Sequence, residues 1–133
     1  MPSIDDLIRQ TMPLCTHLGI VGIEQDAETT VLGLDWAPHL CTIGGAMHGG
    51  ALMTLADSAG AACAFAALPA DATGTTTISS STNFLGAVRS GRVIATARVT
   101  HAGSTTIVVQ TELRRDDGRL VATTTQAQLV LRA

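Results

Sequence analysis

The chain has no lysine and no tyrosine, and its only aromatic residues are Trp36, Phe65 and Phe84. So few rings exclude a base-stacking platform. The eight basic residues are all arginine, and eleven acids bring the net charge to −3, so a basic footprint for nucleic acid is absent. Charged residues are only 14% while hydrophobic residues reach 46%, which excludes a disordered chain. With so little aromatic volume, the core must be filled by Ala, Val, Leu and Ile, or shared with a second copy. Cysteine is scarce and odd in number: Cys15, Cys41 and Cys63 cannot pair completely. Each reads as a small buried apolar residue. The acidic, turn-like start does not resemble a secretory leader, so the expectation is a reducing, cytoplasmic setting. His17, His39, His48 and His101 lack metal-ligand spacing. No G-x-S-x-G, G-x-G-x-x-G or G-K-[ST] sequence is present, so no metal and no cofactor is expected. The 133 residues are expected to form one domain over 1–133, long enough to bury roughly two-thirds of the unfolded surface.

What is there divides into two halves. Ser3 can cap a helix that begins at Ile4, with Asp6 as the capping-box acid, and Pro13 is expected to end or kink it. Residues 19–24 and 29–36 read as strands joined by a turn at 26–28. A Gly-containing loop over 37–47 leads to His48-Gly49-Gly50 and then to residues 51–68, where only Thr54, Asp57 and Ser58 are polar. Pro69 stops that run. The second half is rich in Thr, Val and Ile. Strands are expected over 75–85, 92–101, 105–114 and 120–131, separated by Gly-, Ser- and Asp-containing turns. Val93, Ala95, Ala97 and Val99 alternate with Arg92, Thr96, Arg98 and Thr100, as in a half-buried antiparallel strand. The fold class is therefore α+β, one antiparallel sheet wrapped on one central helix.

The run 51–68 is long enough to suggest a membrane span. Asp57 near its middle, the Ala- and Gly-rich composition and the absence of aromatic flanks argue against one, so no membrane partner is expected. A helix apolar all round is expected to be buried in protein. Asp57 is then an anomaly, because a buried carboxylate is costly unless it is paired, hydrogen-bonded or used. It is either satisfied by Thr54 or Ser58, turned to solvent, or held for general-base or nucleophilic work. Gly49 and Gly50 stand where the first helical N–H groups are unpaired and the dipole is positive. They suit either a tight turn or an oxyanion hole. Gly49 and Asp57 lie about 12 Å apart along one helix axis. One carbonyl cannot touch both, but two antiparallel copies of the helix could bring Gly49 of one chain to Asp57 of the other. The face of Asp57 also carries the small residues Gly60, Ala61 and Ala64 with Met53, so an obligate dimer with its site between subunits is expected.

The stretch Gly45-Ala46-Met47-His48-Gly49-Gly50-Ala51-Leu52-Met53-Thr54-Leu55-Ala56-Asp57-Ser58-Ala59 resembles the helix signature of the PaaI-type hotdog acyl-CoA thioesterases, a G-x-x-H-G-G followed by L-x-D-x-A. Asn83-Phe84-Leu85, Gly91, Gly103-Ser104-Thr105 and Asp117-Gly118-Arg119-Leu120-Val121-Ala122 extend the likeness over about residues 15–131. The resemblance implies a hotdog fold, a long central helix wrapped by a curved antiparallel sheet, in a homodimer or homotetramer that hydrolyses an acyl-CoA substrate to a carboxylic acid and free CoA. By matching position, Gly49 would donate its N–H to the thioester carbonyl. Asp57 of the opposite chain would be the base or nucleophile, His48 would orient the thioester, and Thr77 would help place the attacking water. Gly50 would line the same helix start. Many relatives carry Asn where Thr42 stands, and Arg or Lys for CoA phosphates near Ser104-Thr105. Here Arg89, Arg92 and Arg98 are the candidates for those phosphates. A non-catalytic acyl-CoA-binding or regulatory hotdog module is the alternative. A hotdog dehydratase or hydratase would need a differently spaced His with an acid, and none is found.

Overall fold

The computed structural model describes residues 2–133. The cap expected at the N-terminus forms: the Ser3 hydroxyl accepts the Asp6 N–H at 3.1 Å and the Asp6 carboxylate accepts the Ser3 N–H at 3.4 Å. It opens α1 (Ile4–Thr11). Pro13 does more than end this helix. It occupies the first turn of a second one, α2 (Pro13–Leu18), where its missing N–H is no loss and its fixed φ suits the helix. Gly19, at φ 87°, terminates α2. The strands are β1 (Val21–Gln25), β2 (Thr29–Asp35), β3 (Gly74–Phe84), β4 (Arg92–Ala102), β5 (Thr106–Arg114) and β6 (Leu120–Leu131). The long helix, α3, spans Gly49–Ala66, two residues earlier at each end than the apolar run suggests.

All pairings are antiparallel and the sheet order is β1-β2-β4-β5-β6-β3. After β2 the chain therefore crosses the sheet as α3, lays β3 on the far edge, and returns to β4 beside β2. The alternation read from sequence holds. Val93, Ala95 and Ala97 of β4 and Ile107, Val109 and Leu113 of β5 are fully buried beneath α3. At Gly22 the backbone of α1 comes so close that a Cβ would lie 2.5 Å from the Asp5 nitrogen, and the Gly22 N–H donates to the Asp5 carboxylate at 2.9 Å. Among the described residues no helix is long and apolar enough to cross a membrane.

Within one chain α3 is not buried all round. A single six-stranded sheet covers one side of it, and a stripe of Gly50, Met53, Asp57 and Phe65 remains exposed. Gly60 and Ala64, which follow Asp57 by one and two turns, are buried although Asp57 is exposed. At Gly60 a Cβ would lie 2.5 Å from the Gln126 amide, so any side chain there must displace that buried glutamine.

Candidate active site

The start of α3 is built by its own cap. His48 holds extended backbone, φ −60° and ψ 136°, and its ring Nδ1 accepts the Gly50 N–H at 2.7 Å. Its carbonyl accepts the Ala51 N–H at 2.9 Å and the Leu52 N–H at 3.2 Å. Of the four N–H groups that a helix start leaves over, only that of Gly49 has no partner among the described residues. The acceptor role of Nδ1 puts the proton of the neutral ring on Nε2, which is free to donate. His48 is itself fixed by its N–H on the Leu40 carbonyl at 2.8 Å. The Phe84 ring, at the end of β3, covers Gly49 so closely that a Cβ would lie 3.2 Å from its Cζ.

The loop before His48 is tied down along its length. A Cys41–Met47 bridge closes it, the Thr42 N–H donates to the Ala46 carbonyl at 2.8 Å, and the Trp36 Nε1 donates to the Gly45 carbonyl at 3.0 Å. Thr42 is exposed on this loop. Arg89 donates to the Gly44 carbonyl at 2.5 Å, which brings its guanidinium to the same loop. The Arg92 guanidinium is engaged by an acid: two of its nitrogens donate to the Asp35 carboxylate, at 2.7 and 3.3 Å. That arginine holds the Asp35 carboxyl below the ordinary carboxylate range. Arg98 reaches the Thr29 hydroxyl at 3.4 Å. No three described His, Cys, Asp or Glu side chains converge to hold a metal ion.

Asp57 stands two turns along α3 from Gly49, on the exposed stripe. Water reaches it, yet its flanking helix and sheet atoms remove part of its hydration, and this desolvation raises its pKa. It has no ion-pair partner among the described residues. The neighbouring Ser58 turns inward, where its hydroxyl meets Cys15 Sγ at 3.1 Å. Burial pushes the Cys15 and Cys63 thiols up, the opposite of what a thiolate nucleophile needs.

β3 runs antiparallel to α3, because its Phe84 lies over Gly49 while its Thr75 shares a cavity with Ala61 and Ala62. Pairing with β6 puts Thr75, Thr77, Ser80 and Thr82 on the α3-facing side, level with the turns that carry Asp57. The sequence did not reveal this hydroxyl row or the Phe84 wall, since both faces of β3 are small and polar. A cavity of about 280 Å³ opens one turn beyond Asp57, lined by Leu7, Met12, Ala61, Ala62, Phe65 and Thr75.

The thioesterase superfamily pattern matches residues 44–122, which contain the whole His48–Asp57 segment and most of the sheet. A 75-residue stretch is 37% identical to the protein PA1618 of Pseudomonas aeruginosa, covering 56% of this chain and 52% of that protein. The match thus spans about half the length of the curated relative. A solved structure of mutant thioesterase PA1618 from the same organism superposes with a TM-score of 0.90 at 28% identity, over 100% of this chain and 96% of that one. Thioesterase HI1161 of Haemophilus influenzae gives 0.91 at 21% identity, over 99% and 92% of the two chains. The PaaI protein of E. coli gives 0.86 at 22% identity, over 94% and 88%. The last two establish likeness of fold, the helix-in-sheet architecture expected from the His48–Asp57 motif. With more than half of its length matched by the family pattern and its backbone following these relatives from end to end, the chain belongs to the thioesterase superfamily.

Proposed function

We propose that this protein hydrolyses acyl-CoA thioesters at a site shared by two antiparallel copies of α3. The observation that carries this reading is the unpartnered Gly49 N–H at the start of a helix whose exposed stripe bears Asp57. Two features support a dimer. The outer edge of β3 is unpaired over eleven residues, and beside it lies the uncovered, mostly apolar stripe of α3. An edge of that length is a template for a second strand. Pairing β3 with its copy would extend the sheet and bring the two stripes together.

In that arrangement the thioester carbonyl of the substrate accepts the Gly49 N–H of one chain. Asp57 of the other removes a proton from water. The water oxygen bonds to the carbonyl carbon, the charge formed on the carbonyl oxygen is held at the helix start, and the C–S bond then breaks. The proton taken by Asp57 passes to the departing thiolate, so acid and thiol leave together. A thioester is already a good acyl donor, and one carboxylate with one aligned N–H supplies the two functions it needs. The acyl group would enter the cavity between α1 and the C-terminal half of α3. The pantetheine arm would leave past His48, along a groove lined by Leu14, Leu18, His39 and Thr54. Arg89, on the loop before His48, is the proposed contact for the CoA phosphates. Thr42 and Gly50 line the same entrance.

The test is release of free thiol from a panel of acyl-CoAs by the wild type and by Asp57→Asn. Hydrolysis by the wild type and its loss in the variant, with CoA binding retained, is the expected result. Binding without hydrolysis in both would leave a non-catalytic acyl-CoA-binding module.

A further inference from the structure

Two glutamines lie in the core where apolar side chains would serve as well. Gln126 and Gln128 of β6 are each 1% exposed and point toward α3. Their amides form a directed chain. The Thr75 hydroxyl donates to Gln128 Oε1 at 2.5 Å, and Gln128 Nε2 donates both to Gln126 Oε1 and to the Thr77 hydroxyl, the latter at 2.7 Å. Gln126 Nε2 is left buried with no partner among the described residues, held beneath Gly60, one turn from Asp57. A buried donor left unmade costs more than it would contribute by being there. Burying two amides, one of them incomplete, calls for a reason beyond packing. The chain ends at Thr77, immediately before the bulge that interrupts the β3–β6 register. Bulges recur beside active sites because they re-aim side chains.

A hydroxyl has one proton and two lone pairs. Gln128 occupies a lone pair of Thr77, and the Thr77 proton has no acceptor among the described residues. We propose that Gln128, braced by Gln126 and Thr75, is a positioning residue that aims the Thr77 O–H outward from the β3 edge at the water that Asp57 deprotonates. This rests on the reaction proposed above. In the resulting geometry the water donates one proton to Asp57 and accepts the Thr77 O–H through one lone pair. Its second lone pair is left to form the bond to the thioester carbon. Without the amide, the Thr77 hydroxyl rotates and the water loses one of its two fixed contacts.

The test compares Gln128→Met, Thr77→Val, Thr77→Ser and the Gln128→Met/Thr77→Val double variant with the wild type, measuring kcat and KM for acyl-CoA hydrolysis and the thermal midpoint. Gln128→Met is expected to lower kcat about tenfold or more with little change in KM, and to lower the thermal midpoint by a few degrees, since Gln126 Oε1 loses its donor. Thr77→Val should lower kcat as much without that loss of stability, Thr77→Ser should restore most of kcat, and the double variant should have a kcat no worse than Thr77→Val alone, because Gln128 acts through Thr77. Gln128→Glu serves if the methionine variant does not fold. It keeps the size and the Thr75 bond, and where its carboxyl ionises at high pH it can only accept from Thr77, so kcat relative to wild type should fall as pH rises. Full kcat in the Gln128 variants, or losses that multiply in the double variant, overturns the proposal. If Asp57→Asn retains hydrolysis, the parent reading fails instead. If only Asp57→Asn is inactive, the relay alone is wrong.

Discussion

Gly49→Pro deletes the N–H that the proposed oxyanion contact needs while asking little of the fold. Position 49 is the first residue of α3, where the missing N–H of proline costs the helix nothing and its φ is already suitable. Proline also requires extended backbone in the residue before it, and His48 supplies this at φ −60°, ψ 136°. The remaining bonds of the cap, from Gly50, Ala51 and Leu52 to His48, do not involve the deleted group. The one crowded neighbour is Phe84, whose ring a Cβ would meet at 3.2 Å, and that ring is 49% exposed and can shift. A compatible proline stabilises by about 0.4–1 kcal/mol through the unfolded chain. The thermal midpoint should therefore stay level or rise by about 1–4 °C for a chain of this size. Catalysis should respond differently, because removal of one oxyanion donor typically lowers kcat about 100- to 1000-fold. Gly49→Ala is the control: it adds the same contact to Phe84 but keeps the N–H, and should retain most of kcat. Thiol release from an acyl-CoA, beside a melting curve for each variant, decides the matter. A folded proline variant with near wild-type kcat would refute the assignment of Gly49.

Because desolvation raises the Asp57 pKa in the folded chain, the folded state holds a proton that the unfolded chain has already released between the ordinary carboxylate range and the raised value. The stability contributed by that proton is complete below the ordinary range and is lost as pH rises through the window. Asp57→Asn lacks this loss, so melting curves across pH should show it gaining on the wild type through the window and running parallel above it, while wild-type kcat climbs over the same interval. Ile78→Lys places a charge in the exposed bulge of the unpaired β3 edge, and such charges block strand pairing. Sedimentation should show monomer and the thiol assay should show activity lost with it, whereas an active monomer would sink the shared site. Gly60→Ala forces a Cβ to within 2.5 Å of the Gln126 amide, and overpacking of this kind costs about 1–3 kcal/mol. Thermal melting should fall by several degrees, and an unchanged midpoint would show that α3 can lift from the sheet at no cost.

The amino-acid pattern alone settled the first helix, the central helix and the six strands in their order, but not α2. Period-2 alternation over Val93–Val99 marked a half-buried strand, the Ser3/Asp6 pair marked a helix start, and eighteen nearly unbroken apolar residues marked the central helix. The His48–Gly49–Gly50 step and Asp57 were legible too, because a carboxylate in an apolar run and glycines at a helix start are local anomalies. What surrounds α3 was not local. Its composition is apolar on every side, so the uncovered stripe emerges only once a sheet of six strands is seen to enclose one side. The inward direction of Gly60, the closure of Gly49 by Phe84 and the burial of Gln126 and Gln128 likewise depend on which strand passes beneath which turn. β6 mixes polar and apolar residues on both faces, so its periodicity could not say which side met the helix. Burial and hydrogen-bond direction are properties of neighbours brought from distant parts of the chain, and packing alone decides them.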